Sequence, residues 1–241
     1  MLTQLDEMTL VRYGSRYRTR YLLEQLRFTL KLAGSENPPL DLPRDYLSEV
    51  EAGVARLESA RDDREVAEVE SKYATLRQND LIAEAKVWRR KAATRAQRAA
   101  RLGANVPKEL LTIGRVNSVP ALLESIGTTV RLFEEHAPEL SLAGDVGPLV
   151  AEGRRIHDAL AEADAEQEFK RLADLPAKVR ELFRLKGELY VALKVVNDAG
   201  KERHASDPVA AARYNLGILY RYTRRSGQSE EGAKAPATET A

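Results

Sequence analysis

The sequence predicts an all-α protein, and three observations carry the prediction. Apolar residues recur at steps of three and four along most of the chain. Alternating runs rich in Val, Ile and Thr are absent, as are Asn-Gly hairpin turns. Pro-containing clusters punctuate the periodic segments. Helices are expected over 8–33, 43–60, 62–78, 80–102, 107–114, 118–135, 146–162, 164–172, 176–203 and 208–225, some of them free to fuse into longer rods.

The first helix should end at Gly34-Ser35-Glu36-Asn37-Pro38-Pro39, where Gly suits the cap and Pro cannot continue. Asp41 and Pro43 suit the start of the second. Its apolar stripe is Leu47, Val50, Val54 and Leu57. Val66, Val69, Tyr73 and Leu76 form the next stripe, and Leu81, Ala85, Trp88, Ala92, Ala96 and Ala99 the one after. Such stripes should pack knobs into holes against antiparallel neighbours, with Trp88 the one large anchor of an Ala-rich row. Asp62 with Glu65, and Asp164 with Gln167, read as capping boxes; Asn79-Asp80 and Asp174-Leu175-Pro176 read as restarts. Leu182 to Val196 is the most apolar segment and should be a central helix or carry a dimer face. Residues 226–241 read as a disordered tail.

The chain also matches itself. Shifted by 100 residues, 2–53 aligns with 102–153 without gaps at 13 identities in 52 positions, among them Gly14/Gly114, Pro38/Pro138 and Gly53/Gly153. The expectation is an antiparallel multi-helix bundle or short α-solenoid with a duplicated unit of about 100 residues. Its parts are a first helical repeat at 1–103, a second at 104–204, a closing helix at 205–225 and the tail at 226–241.

The 38 basic and 37 acidic groups nearly cancel, but in blocks. Residues 8–33 carry six basic groups and one acid, 41–84 six and twelve, 85–115 nine and one, and 134–168 two and ten. Two basic helical stripes stand out as a candidate surface for an anionic partner: Arg12, Arg16, Arg20 and Arg27, and Lys86, Arg90, Lys91, Arg95, Arg98 and Arg101. The functional reading is a nucleic-acid or anionic-membrane surface, since Arg neutralises phosphates and the adjacent Tyr17 and Tyr21 can stack on bases. The bland reading is that these helices pair with acidic ones of the same chain or face water.

Chemistry motifs are missing. There is no Cys, which excludes thiolate chemistry and disulfides, and the three His form no metal-ligand spacing. No glycine-rich phosphate loop and no nucleophile elbow is present. No catalytic, cofactor-binding or metal residue is therefore expected. The N-terminus lacks signal-peptide character, no apolar run is long enough to span a membrane, and Arg exceeds Lys by 27 to 11, so the expectation is a bacterial cytoplasmic protein. The function expected is a non-enzymatic interaction or scaffold protein, binding a protein partner or itself. The alternative is nucleic-acid binding through the helices at 8–33 and 85–102.

Overall fold

The computed structural model describes residues 2–221 and is all-helical there. The tail expected at 226–241 lies outside the described residues. In order the helices are α1 (Glu7–Ser15), α2 (Thr19–Gly34), α3 (Tyr46–Arg101), α4 (Lys108–Leu111), α5 (Val119–Glu135), α6 (Ala137–Leu140), α7 (Gly147–Phe169), α8 (Leu175–Arg203) and α9 (Pro208–Ala211). A 3-10 turn at Ser141–Ala143 follows α6, and a π turn at Lys170–Asp174 joins α7 to α8. No described helix is long and apolar enough to cross a membrane.

Several expected boundaries move. The three helices expected between 43 and 102 are one, the 56-residue α3. Asp62 and Asp80 do not stop it, because neither Pro nor Gly accompanies them. Asp62 instead bonds the neighbouring Arg61 at 2.8 Å, and Glu68 pairs with Lys72 one turn on at 3.1 Å. The expected helix at 8–33 is two: α1 stops at Ser15, and Arg18 is extended before α2 begins. Backbone contact explains the stop. A Cβ on Gly14 would lie 1.9 Å from the carbonyl oxygen of Phe183 in α8, so the chain turns just past a crossing that only glycine permits. The expected break before Pro176 is a π turn, not a loop. Leu175 N–H donates to the carbonyl of Lys170, five residues back, and this wider turn makes room for the Pro ring that an α turn would clash with. Of the closing helix expected at 208–225, whose last four positions lie outside the described residues, Pro208–Ala211 is helical and turns and bends follow to Tyr220. There the buried Gln25 takes over the backbone: its Oε1 accepts from Ile218 N–H at 3.0 Å and Leu219 N–H at 3.3 Å, and its Nε2 donates to Asn215 at 2.9 Å.

The chain divides into two compact units: Met1–Val66 with Ala177–Ala241, and Ala67–Pro176. The division falls inside α3, and each unit has its own core. In the first, α2, the N-terminal part of α3 and α8 meet through Leu22, Leu26, Val50, Leu57, Leu189 and Leu193, with Tyr214 and Leu219 closing the end. Here α8 is buried on several sides, as its apolar sequence requires. In the second, α5, α7 and the C-terminal part of α3 meet through Ile126, Phe133, Ile156, Leu160 and the Ala row with Trp88. Trp88 is fully buried and its indole N–H donates to the carbonyl of Leu149 at 2.9 Å. Ion pairs bridge α3 and α7 with reversed sequence order, Lys91 to Glu152 at 3.0 Å and Arg77 to Glu166 at 2.9 Å, which makes the two helices antiparallel.

The rigid indole of Trp88 rests on Gly153, where an added Cβ would sit 2.3 Å from the ring. Gly153→Ala should therefore cost about 1–3 kcal/mol in urea denaturation by overpacking. Gly34→Ala, where a Cβ meets nothing within 4 Å, should leave stability within about 0.5 kcal/mol. Equal effects at the two sites would contradict the packing described.

Candidate functional site

The second unit presents an unusual helix. One face of α3 is a seam built from small and polar residues: Ala67, Ser71, Ala74, Gln78, Ala85, Trp88, Ala92 and Ala99, at three–four spacing and all buried or half-buried. α7 and the π turn answer it with Ile156, Leu160, Ala163, Gln167, Lys170 and Asp174 at the same spacing. The expected core stripe lies elsewhere. Val66, Val69, Tyr73 and Leu76 are exposed, Tyr73 by 67% and Leu76 by 57%. They fail as core because the Ala and Ser residues lie on the opposite side of the helix and allow a closer approach to α7 than Val, Tyr and Leu would.

At 100° per residue the exposed stripe continues along α3 as Val69, Tyr73, Leu76, Asp80, Ala83, Val87, Arg90, Lys91, Thr94, Arg98 and Arg101, each of them exposed. Its first part is apolar and its second part cationic. Val87, Arg90, Lys91, Thr94, Arg95 and Arg98 line a shallow open depression of about 420 Å³. Phe169 and Leu172, at the end of α7 and in the π turn, are also exposed, by 61% and 63%.

The basic residues singled out from the sequence have unequal circumstances. Lys86, Arg90 and Arg101 are exposed and form no ion pair among the described residues. Lys91 pairs with Glu152. Arg95 donates to the carbonyls of Gly144 and Asp145, both at 2.8 Å, and Arg98 donates to that of Ala143. Those two guanidiniums therefore satisfy carbonyls at the end of the 3-10 turn. In the first unit, Arg20 pairs with Glu24 at 2.9 Å and Arg27 with Glu58. Arg12 and Arg16 lie 6.0 and 5.6 Å from the ring centre of Tyr13. Tyr17, whose ring was a candidate for base stacking, stacks instead on Tyr190 at 4.7 Å, and its hydroxyl lies 3.3 Å from that of Tyr220. Burial pushes the Tyr17 phenol well above its ordinary range.

Two groups escaped the sequence reading. Glu36 accepts from the Tyr214 hydroxyl at 2.8 Å and, through both oxygens, from His204 Nε2 at 3.1 Å. These bonds, Tyr214 first, hold its carboxyl below the usual range. Glu36 and His204 are 168 residues apart, so no local signal exists for the pair. The other is Lys186, buried to 3% exposure on the core face of α8 with its ammonium 5.0 Å from the ring centre of Phe183 and no ion pair among the described residues. Its signal was present: it lies at heptad spacing with Leu182, Leu189 and Leu193, whereas Lys194 falls off that face and is exposed. Asn197, eleven residues on, is likewise buried, with neither amide atom hydrogen-bonded. Among the described residues no group of three acidic or His side chains gathers to hold a metal ion.

No family model matches the chain, and neither a curated protein nor a solved structure is detectably similar to it.

Burial pushes the Lys186 ammonium down from 10.5 to about 8. The unfolded chain then binds a proton that the folded chain lacks between those values, so stability should rise with pH across about 8 to 10.5, and the cost is full below that window. Lys186→Met should raise stability at pH 7 by up to about 3 kcal/mol and flatten the rise. A wild-type profile flat across the window in urea titrations would contradict the burial of a chargeable amine there.

Proposed function

We propose that this protein is a non-enzymatic interaction protein whose second unit captures an amphipathic helix of a partner protein along the outward face of α3. The carrying observation is the exposed row from Val69 to Arg101, which keeps helical phase for its whole length opposite a completed seam. A helix with one buried face needs only one apolar stripe. A second, at the same spacing, is the pattern by which helices recognise helices. Lone exposed apolar residues are ordinary, but here Val69, Tyr73, Leu76 and Val87 share one face. The order of chemistry along the row identifies the occupant: apolar at the end that meets Val69 to Leu76, acidic at the end that meets Arg90, Lys91 and Arg101.

Nucleic acid is the second reading, favoured by Lys86, Arg90 and Arg101, which are exposed and have no carboxylate partner among the described residues. It makes no use of the apolar half, and the engagement of Arg95 and Arg98 with backbone carbonyls speaks against a continuous phosphate track.

The chain is also best read as a duplicated three-helix bundle in which each core takes its third helix from the other repeat. Support comes from α2 and α5, which begin at Thr19 and Val119, and from α3 and α7, which begin at Tyr46 and Gly147. Leu22 and Leu122, Leu26 and Ile126, and Gly53 and Gly153 are buried in both halves. Past the π turn the correspondence shifts by one residue. Ala85, Trp88, Ala92 and Ala99 then answer Lys186, Leu189, Leu193 and Gly200, again all buried. A π turn inserts one residue into an α-helix, which is the shift required.

Binding of designed amphipathic peptides, followed by fluorescence anisotropy, tests the partner reading. A helix with an apolar stripe and a Glu-rich end should bind with a Kd in the range of about 1–100 μM and weaken with salt. Leu76→Glu should weaken it by about tenfold or more without lowering stability, and a Lys-rich end should abolish binding. Equal binding of Glu- and Lys-ended peptides, or binding of single-stranded nucleic acid unaffected by Leu76→Glu, would overturn the reading.

A further inference from the structure

A second concavity of the same unit lies away from that face. It is a pocket of about 390 Å³ between α3, the segment after α4, and α5, lined by Arg89, Glu109, Glu124, Ser125, Thr128 and Ile113, among others. Its size is that of small-molecule sites.

Arg89 is the unusual group. It is half-buried, and loss of water alone holds its guanidinium below the ordinary value. Among the described residues it donates one hydrogen bond, to the carbonyl of Gly114 at 3.1 Å, and forms no ion pair although two carboxylates line the same pocket. A guanidinium has five donors in a planar fork, so most of its capacity stays unspent. Glu109 and Glu124 are exposed and carry no ion pair among the described residues either. The pocket thus holds both signs of charge, apart from each other, in one small space. A phosphate would be repelled by two carboxylates, and a diamine by the arginine.

We propose that this pocket binds a small zwitterion, a free α-amino acid. The fork of Arg89 takes the carboxylate in the bidentate geometry it favours. Glu109 and Glu124 take the ammonium, and Ile113 and Leu110 face a short side chain. The hydroxyls of Ser125 and Thr128, which make no hydrogen bond within the described chain, complete the polar contacts. The site is independent of the α3 outward face, and either can fail without the other.

Isothermal titration of the full chain with alanine, threonine and leucine, against acetate, isobutylamine and inorganic phosphate, tests it. At least one amino acid should saturate the protein at one site below roughly 10 mM, with acetate and isobutylamine weaker by about tenfold or more. Arg89→Gln and the double change Glu109→Gln/Glu124→Gln should each weaken the amino acid by about tenfold, while Lys178→Gln, exposed on α8 and outside the pocket, should leave the binding unchanged. The two Glu side chains are exposed, so their replacement keeps the test open if Arg89→Gln fails to fold. Acetate or phosphate binding as well as the amino acids, or no amino acid binding in that range, would overturn the proposal.

Discussion

A helix of 56 residues must be held along its length by something other than its own propensity. In the second unit that support is a narrow seam: a row of α3 made of small and polar residues and Trp88, against Ile156, Leu160, Ala163, Gln167, Lys170 and Asp174 of α7 and the π turn. Small residues bury little apolar area per position, so the seam depends on close approach, with Trp88 against Gly153 as its large contact. Close approach fixes which way α3 faces. Once Ala67, Ala74, Ala85 and Ala92 are turned inward, helical geometry turns Val69, Tyr73, Leu76 and Val87 outward. The exposed apolar row is therefore a consequence of how the helix is held and not an isolated surface oddity.

Electrostatics follows the same division. Cations at the edge of the seam are spent across it: Arg77 of α3 on Glu162 and Glu166 of α7, Lys91 of α3 on Glu152 of α7, and Lys170 of the π turn on Glu70 of α3 at 2.5 Å. Such exposed pairs contribute little stability each, about 0–1 kcal/mol, but they favour one register of α3 against α7. Cations turned fully outward, Arg90 and Arg101, meet no acid among the described residues. The near-zero net charge thus conceals a chain neutralised along one side of α3 and left cationic on the other. The buried, unpaired Lys186 and Asn197 show the opposite arrangement in the first unit, where polar groups enter a large apolar core without ionic partners.

The all-helical class and the Ala row with Trp88 were legible because local periodicity carries them. So was the buried character of α8. The break after Ser15 was not, because Gly14 stops α1 through contact with α8, 169 residues away in sequence. The continuity of α3 through Asp62 and Asp80 was missed because Asp marks a helix start only where a breaker accompanies it. The stripe from Val66 to Leu76 misled for a more general reason: periodicity shows that a helix has an apolar face, and only its neighbour decides which face is buried. Of the candidate surface, Arg90, Lys86 and Arg101 lie open as expected of solvent-facing charge. Arg95 and Arg98 are tied to carbonyls some 45 to 50 residues distant that no spacing rule could have supplied.

The orientation of α3 is the central claim, and the absence of Cys makes it directly measurable. Single changes Tyr73→Cys, Leu76→Cys, Ala74→Cys and Ala85→Cys give four otherwise identical proteins for thiol-labelling kinetics under native conditions. Cys at 73 and 76 should react at nearly the rate of an unfolded thiol, and Cys at 74 and 85 slower by about a hundredfold or more, since labelling there requires opening of the seam. Fast reaction at 74 and 85 with protection at 73 and 76 would contradict the account, because it would place the Val–Tyr–Leu stripe inside.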